Sequence, residues 1–193
     1  MEAARRRFLS DGVDGASLRQ IARDAGTSIG MIYYYFPTKD DLFFGVVEET
    51  YGKLLADLEQ ALDRELPVKE RIRRMSARLS RVTEKELEVV RVVVREALSS
   101  SARLARLIER FKRGHLALVL STVGDGIARG ELDASRHPAL LMMATFAITG
   151  APHLMRRVLG SQHPFAELPE GEALADQLVD ILFSGVGKKG ESR

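Results

Sequence analysis

The chain contains no cysteine, so neither a disulfide nor a thiolate metal site can form. Its four histidines, His115, His137, His153 and His163, include no i, i+4 pair and no His-Glu motif, and no metal site is expected from them. Carboxylates are plentiful, but none is set in a loop beside a nucleophile. No catalytic constellation, no enzyme activity and no cofactor are therefore expected. Gly124, Gly126 and Gly130 match a phosphate loop only loosely: the spacing misses GxGxxG and no strand precedes it. Gly130 reads better as a helix C-cap. No basic segment followed by an apolar one opens the chain, so no secretory signal is expected. The longest apolar run, Ala139 to Ala151, is too short to span a bilayer. The expectation is a cytoplasmic protein with no membrane partner.

What is present is 193 residues with 45% hydrophobic and 29% charged content. That is enough for a real core in one or two domains and ordinary for a globular protein. The net charge is +2 and the pI about 9.0, which points mildly to an anionic partner. The excess is unevenly placed. Residues 1–50 hold 6 basic and 8 acidic side chains, residues 51–113 hold 16 and 10, and residues 114–193 hold 7 and 9.

One stretch organises the rest: Ser17 to Leu42, SLRQIARDAGTSIGMIYYYFPTKDDL. Ser17 with Gln20 three residues on has capping-box spacing. Leu18, Ile21, Ala22 and Ala25 follow at i, i+3, i+4 and i+7, one buried helical face. Ala22 leaves room for a second helix to cross. Gly26 ends the helix in the left-handed conformation, and Ser28 caps the next helix. Ile32 and Phe36 point back to the core. Two short helices joined by a Gly-containing turn make a helix-turn-helix unit, and the second leaves Ile29, Gly30, Met31, Tyr33, Tyr34 and Tyr35 on or near its outer side. Three of the chain's four tyrosines stand in that row. A tyrosine suits a surface half dry and half wet, and Tyr, Ser and Lys side chains commonly bond DNA phosphates. The competing reading is a core edge in which the rings pack inward.

Residues 3–50 resemble the DNA-binding domain of TetR-family (tetracycline-repressor-like) bacterial regulators. The resemblance rests on Ala4, Phe8, Gly12, Ser17, Ile21-Ala22 and Ala25-Gly26. It continues through Ser28, Gly30, Ile32-Tyr33, Tyr35-Phe36, Lys39, Asp40 and Leu42. It implies roles residue by residue. Arg19 matches a position that can read a base edge, as in bidentate pairing with guanine. Thr27 and Ser28 open the recognition helix within the contact set. Ile29, Gly30 and Met31 match base-facing positions, where Ile29 and Met31 would favour thymine methyl groups. Tyr33, Tyr34, Tyr35 and Lys39 match phosphate-contacting positions. Because residues 1–50 are slightly acidic, local placement must win: Arg5, Arg6, Arg7, Arg19, Arg23 and Lys39 are expected to face DNA. Family members usually carry residues before the first helix that touch DNA. Here that contact is missing or the native start lies upstream.

The rest of the chain reads as helix throughout. Residues 1–10 form a first helix, with Asp11-Gly12 and Asp14-Gly15 marking a loop. From Asp40 to about Leu66 a long helix would join the two domains as a signalling lever, stopped by Pro67. Residues 68–98 read as two helices. Arg71, Arg74, Arg78 and Arg81 form a basic stripe read as a solvated face; the sharper alternative is a site for an anionic ligand or a second DNA contact. Val89 to Val94 could be a strand on propensity, but length and charged flanks favour a helix, broken by Ser99-Ser100-Ser101. Residues 102–129 read as one helix, or two with a kink near Gly114. Pro138 suits a first helical position. Ala139 to Ala151 is apolar nearly all round and must be covered on both sides. Residues 172–186 supply a matching helix. Residues 160–171 form a Gly/Pro-rich loop.

The expectation is thus an all-α protein. It comprises a three-helix helix-turn-helix domain at 1–45, a helical ligand-binding and dimerisation domain at 46–187, and a disordered tail at 188–193. The resemblance implies a homodimer through the last two long helices, double-stranded operator DNA as partner, and release by a small-molecule effector of unknown identity. Phe111, Met142, Met143, Phe146 and His153 are the candidate pocket residues, with ordinary core or dimer packing as their alternative. The rival is a helical ligand-binding or interaction module that has lost DNA binding, supported by the acidic balance of residues 1–50.

Overall fold

The computed structural model describes residues 1–159 and 167–184. Every regular element among them is an α-helix. The expected disordered tail, and most of the expected 160–171 loop, lie outside the described residues. Two compact units result: residues 1–56 with 83–114, and residues 57–82 with 115–193. The expected boundary at residue 45 does not coincide with this division. The helix-turn-helix shares its core with a segment about 50 residues further along the chain, and the long helix is divided near its C-terminal end.

In the first unit, α1 (Glu2–Gly15) kinks at Gly12, whose φ of 77° breaks the helical run. Asp11 therefore stays helical and the expected loop is a sharp corner. Then follow α2 (Leu18–Asp24), α3 (Ile29–Tyr35) and α4 (Lys39–Ala61). Gly26, at φ 62°, turns the chain between α2 and α3 where a Cβ would be strained. Phe8, Val13, Ile21, Ala22, Ile32, Leu42, Phe43 and Val46 bury together with Val89, Val92 and Leu107. The last three come from α6 (Glu84–Ser99) and α7 (Ser101–Lys112). The valine run is thus a helix, presenting Val89 and Val92, on successive turns, to the headpiece. Ser100 alone separates α6 from α7 and caps α7 by accepting from Arg103 N at 3.3 Å. A Cβ on Gly114 would collide with the Tyr51 hydroxyl, so only glycine fits where α7 ends.

Charge placement resolves the uneven sequence count. Lys85 bonds Glu49 at 2.8 Å, Arg110 holds Glu48 with two bonds of 2.7 and 2.8 Å, and Arg106 pairs with Asp41 at 3.7 Å. Basic residues of α6 and α7 neutralise the acidic headpiece.

In the second unit, α5 (Val68–Ser80) is surrounded by α8 (His115–Ala128), α9 (Pro138–Thr149), α10 (Ala151–Leu159) and α11 (Gly171–Ser184). The basic stripe of α5 is a solvated face only in part: Arg74 and Arg81 are exposed, whereas Arg71 and Arg78 are drawn into the fold. Arg71 is 1% exposed and donates to Leu62 O, Asp125 Oδ2 and Thr122 Oγ1 at 2.9–3.1 Å. Arg78 bonds Asp57 at 2.7 Å, and Arg81 pairs with Glu172. Lys69–Asp180 at 2.7 Å and Arg73–Asp176 at 3.6 Å continue the α5–α11 ladder. The two helices lie side by side with matched charges, which a sequence stripe cannot reveal. By length and composition alone, Pro138–Val158 could cross a membrane, contrary to the expectation drawn from residues 139–151. Its inner line is polar, however: Thr145, Thr149 and His153 are all buried.

Candidate DNA-reading face

The face is built from the ends of two short helices. Ser28 caps α3 as expected, accepting from Met31 N at 3.2 Å. Ser17 does not behave as predicted: it stands at the N-cap of α2 with extended backbone but accepts no capping bond, so the expected box with Gln20 is not formed. Ile21 and Ala22 bury the inner side of α2 and Ile32 that of α3. What remains points out. Tyr33, Tyr34 and Tyr35 are 49%, 77% and 64% exposed, which excludes the inward-packed reading. Tyr34 and Tyr35 meet edge to face, centroids 5.0 Å apart. Thr27, Ser28, Gly30 and Met31 are exposed as well. Ile29 differs: it is half-buried and packs on the core, so its reach toward a base is smaller than the sequence implies.

The expected cations separate into two groups. Arg19 and Arg23 are exposed and form no hydrogen bond or ion pair among the described residues. Arg5 bonds Glu88, Arg6 bonds Glu2 and Arg7 bonds Asp24, each at 2.7 Å, so these three are engaged within the fold. The Arg7 guanidinium holds the Asp24 carboxyl below its ordinary range. Lys39 Nζ donates to Asp14 O at 2.7 Å and Ala16 O at 3.1 Å. It braces the corner before α2, a task no local sequence signal announces. A shallow apolar hollow of about 170 Å³ lies beneath the face, lined by Ile21, Ala25, Met31, Tyr35 and Phe36 among others.

The candidate effector residues are dispersed. Phe111 belongs to the first unit, its ring 5.3 Å from that of Tyr51. In the second unit Met142 and Phe146 are half-buried, Phe146 with its ring edge on His115 at 5.5 Å. Met143 is 63% exposed on the outer side of α9, so it does not line an interior. His153 is buried, with Nε2 3.0 Å from Ser76 Oγ. Ser76 spends its one proton on Thr149 O at 2.8 Å, so His153 donates to Ser76. Burial first, and the nearby Arg156 second, push the imidazole pKa below its usual value.

Residues 1–46 match the family model described as bacterial regulatory proteins, tetR family. The chain is a TetR-family transcriptional regulator. The fatty acid metabolism regulator protein of Bacillus subtilis is 23% identical to this TetR-family chain over 98% of its length and 94% of that protein. A structure of Bacillus subtilis FadR in complex with stearoyl-CoA superposes with TM-score 0.74 at 19% identity, covering 96% of this chain and 97% of that one. The fatty acid degradation regulator FadR of Bacillus halodurans gives 0.72 at 18%, with 96% and 97% covered. At these identities the superpositions establish the fold of the TetR-family chain over nearly its whole length.

Proposed function

We propose that this chain is a homodimeric repressor whose paired α3 helices read a palindromic operator and which a small molecule releases. The observation that carries the reading is the outward row of Tyr33, Tyr34 and Tyr35, together with an exposed Arg19 that has no hydrogen bond or ion pair among the described residues. That face offers hydroxyl donors to phosphates and one guanidinium to a base edge. Half-sites would lie about one helical turn, roughly 34 Å, apart. A protein that reads chromosomal DNA would work in the cytoplasm. For the effector, the relatives named for fatty acid metabolism and the one held with stearoyl-CoA favour a long-chain acyl thioester. Met142 and Phe146 on α9, with the polar line of Thr145, Thr149 and His153, are the side chains offered to it. Release requires that the effector favour the state that binds DNA poorly.

The test is fluorescence anisotropy with labelled DNA from upstream of the protein's own gene, at rising salt, without and with stearoyl-CoA. Tight binding with a steep salt dependence, reversed by the thioester but not by free CoA, is expected. A dimer that never binds such DNA at low salt would favour the reading in which DNA binding has been lost. Binding that the thioester leaves unchanged would remove the effector class and keep the regulator.

A further inference from the structure

The corner between α1 and α2 is held by charge from three other helices. Gly12 breaks α1, which leaves the Val13 N–H without a helical acceptor. Glu96 Oε1, from α6, accepts it at 3.1 Å. The other Glu96 oxygen accepts from Arg103 Nη1 at 2.7 Å. Arg103, from α7, also grips Asp14 with two bonds, Nη2 to Oδ1 at 2.5 Å and Nη1 to Oδ2 at 3.1 Å. Its Nε reaches Asp40 Oδ1, at the start of α4, at 3.0 Å. Arg95 of α6 donates to the carbonyls of Phe8 and Leu9. Lys39 of α4 donates to the carbonyls of Asp14 and Ala16.

Arg103 is 7% exposed and Glu96 2%. A planar guanidinium with three carboxylate partners is directional where an apolar contact is not. Removing it would leave buried Glu96 without its counter-charge, which is costly. The corner itself contributes only Val13 and Ala16 to the core. Its position, and with it the direction in which α2 sets out, therefore depends on these bonds. Among the described residues, no hydrogen bond or ion pair joins Arg103 to a side chain assigned to DNA reading.

We propose that Arg103 is a positioning residue for DNA recognition: by gripping Asp14 it registers the α1–α2 corner on α4, α6 and α7 and so sets the pose of α2 and α3. This rests on the DNA-reading face proposed above. Arg103 makes no DNA contact itself.

The experiment compares the full-length wild type with Asp14→Asn, Arg103→Lys, Arg103→Gln and the Asp14→Asn/Arg103→Gln double variant. Three measurements are made: melting temperature, amide hydrogen exchange at Val13 and Ala16 and along α7, and affinity for the upstream DNA. Asp14 has a largely exposed side chain, and its change leaves the bonds of Arg103 to Asp40 and Glu96 in place. Asp14→Asn is therefore expected to keep the wild-type melting temperature, to speed exchange at the corner but not along α7, and to weaken DNA binding by about tenfold. Arg103→Lys should fall between wild type and Arg103→Gln. The double variant should bind no worse than Arg103→Gln alone.

Wild-type exchange at the corner in Asp14→Asn would overturn the proposal, as would wild-type DNA affinity in that variant or additive losses in the double. Should Arg103→Gln fail to fold, Asp14→Asn and Arg103→Lys still decide. If the wild type binds no DNA, the reading of the face falls. The exchange rates at Val13 and Ala16 then still decide whether Arg103 holds the corner.

Discussion

At the scale of single residues, the proposed DNA-reading face makes two separable predictions. Tyr33→Phe removes one hydroxyl donor from an exposed ring and should weaken binding about uniformly across DNA sequences, because phosphates carry no sequence information. Arg19→Ala should cost about 1–3 kcal/mol and relax preference at one base. Binding measured on a panel of single-base operator variants distinguishes them, and a uniform loss in Arg19→Ala would end its assignment as a base reader. His153 yields a third prediction, on stability. Its pKa in the folded protein lies below the usual 6.5 because burial penalises the imidazolium, with the Arg156 charge adding to the effect. The folded state therefore binds fewer protons than the unfolded state. The neutral form's contribution is complete above the unfolded value and is lost as pH falls through the folded one. Melting temperature should drop from pH 7.5 to 5.5, and His153→Gln, which can still donate to Ser76 but does not titrate, should drop less. An identical acid slope in both proteins would contradict this.

At the scale of helices, termini show what the sequence could and could not disclose. The spacing rule that singles out Ser17 and Gln20 applies equally to Thr83 and Glu86, and the capping box forms only at the second pair. There Thr83 Oγ1 accepts from Glu86 N, and Thr83 N donates to the Glu86 carboxylate at 2.7 Å. Thr83→Ala should therefore cost about 1 kcal/mol of unfolding free energy by denaturant titration, while Ser17→Ala costs little. Equal costs would mean that the bond observed in α6 adds nothing. The helical periods, the turn at Gly26, the cap at Ser28 and the outward tyrosines were legible because each depends on neighbours within about four positions. Arg71, Arg103 and Glu96 were not legible, because their burial depends on partners up to 89 positions away. Block counts of charge failed for the same reason. The acidic residues of α4 find their cations on α6 and α7, so the slight negative balance of residues 1–50 is no argument against a DNA partner.

At the scale of the molecule, the outer side of α9 and α10 decides whether two copies associate. Leu140, Met143, Ala147, Met155 and Val158 are exposed and recur every three to eight residues, a continuous apolar line on one helical face. The opposite side carries Thr145, Thr149 and His153 inward, so the exposed line is not misplaced core. The α5–α11 ion pairs fix α11 with Ile181 outward, adding to the apolar area. Such a line on a chain whose relatives are DNA-binding regulators fits a seam between twins related by a two-fold axis, where each residue meets its own kind. Replacing Met143 and Met155 by Glu would set four carboxylates into that seam, two from each copy, and burying unpaired like charges is costly. The double variant should sediment as a monomer at micromolar concentration with unchanged helical circular dichroism. Its operator affinity should fall far more than any single face mutation achieves. A linked pair of recognition helices gains the second half-site at high effective concentration, whereas a monomer must bind each half-site alone. A variant that still sediments as a dimer would place the seam elsewhere. One that becomes monomeric yet binds the full operator as tightly as wild type would show that the pairing of half-sites contributes nothing to recognition.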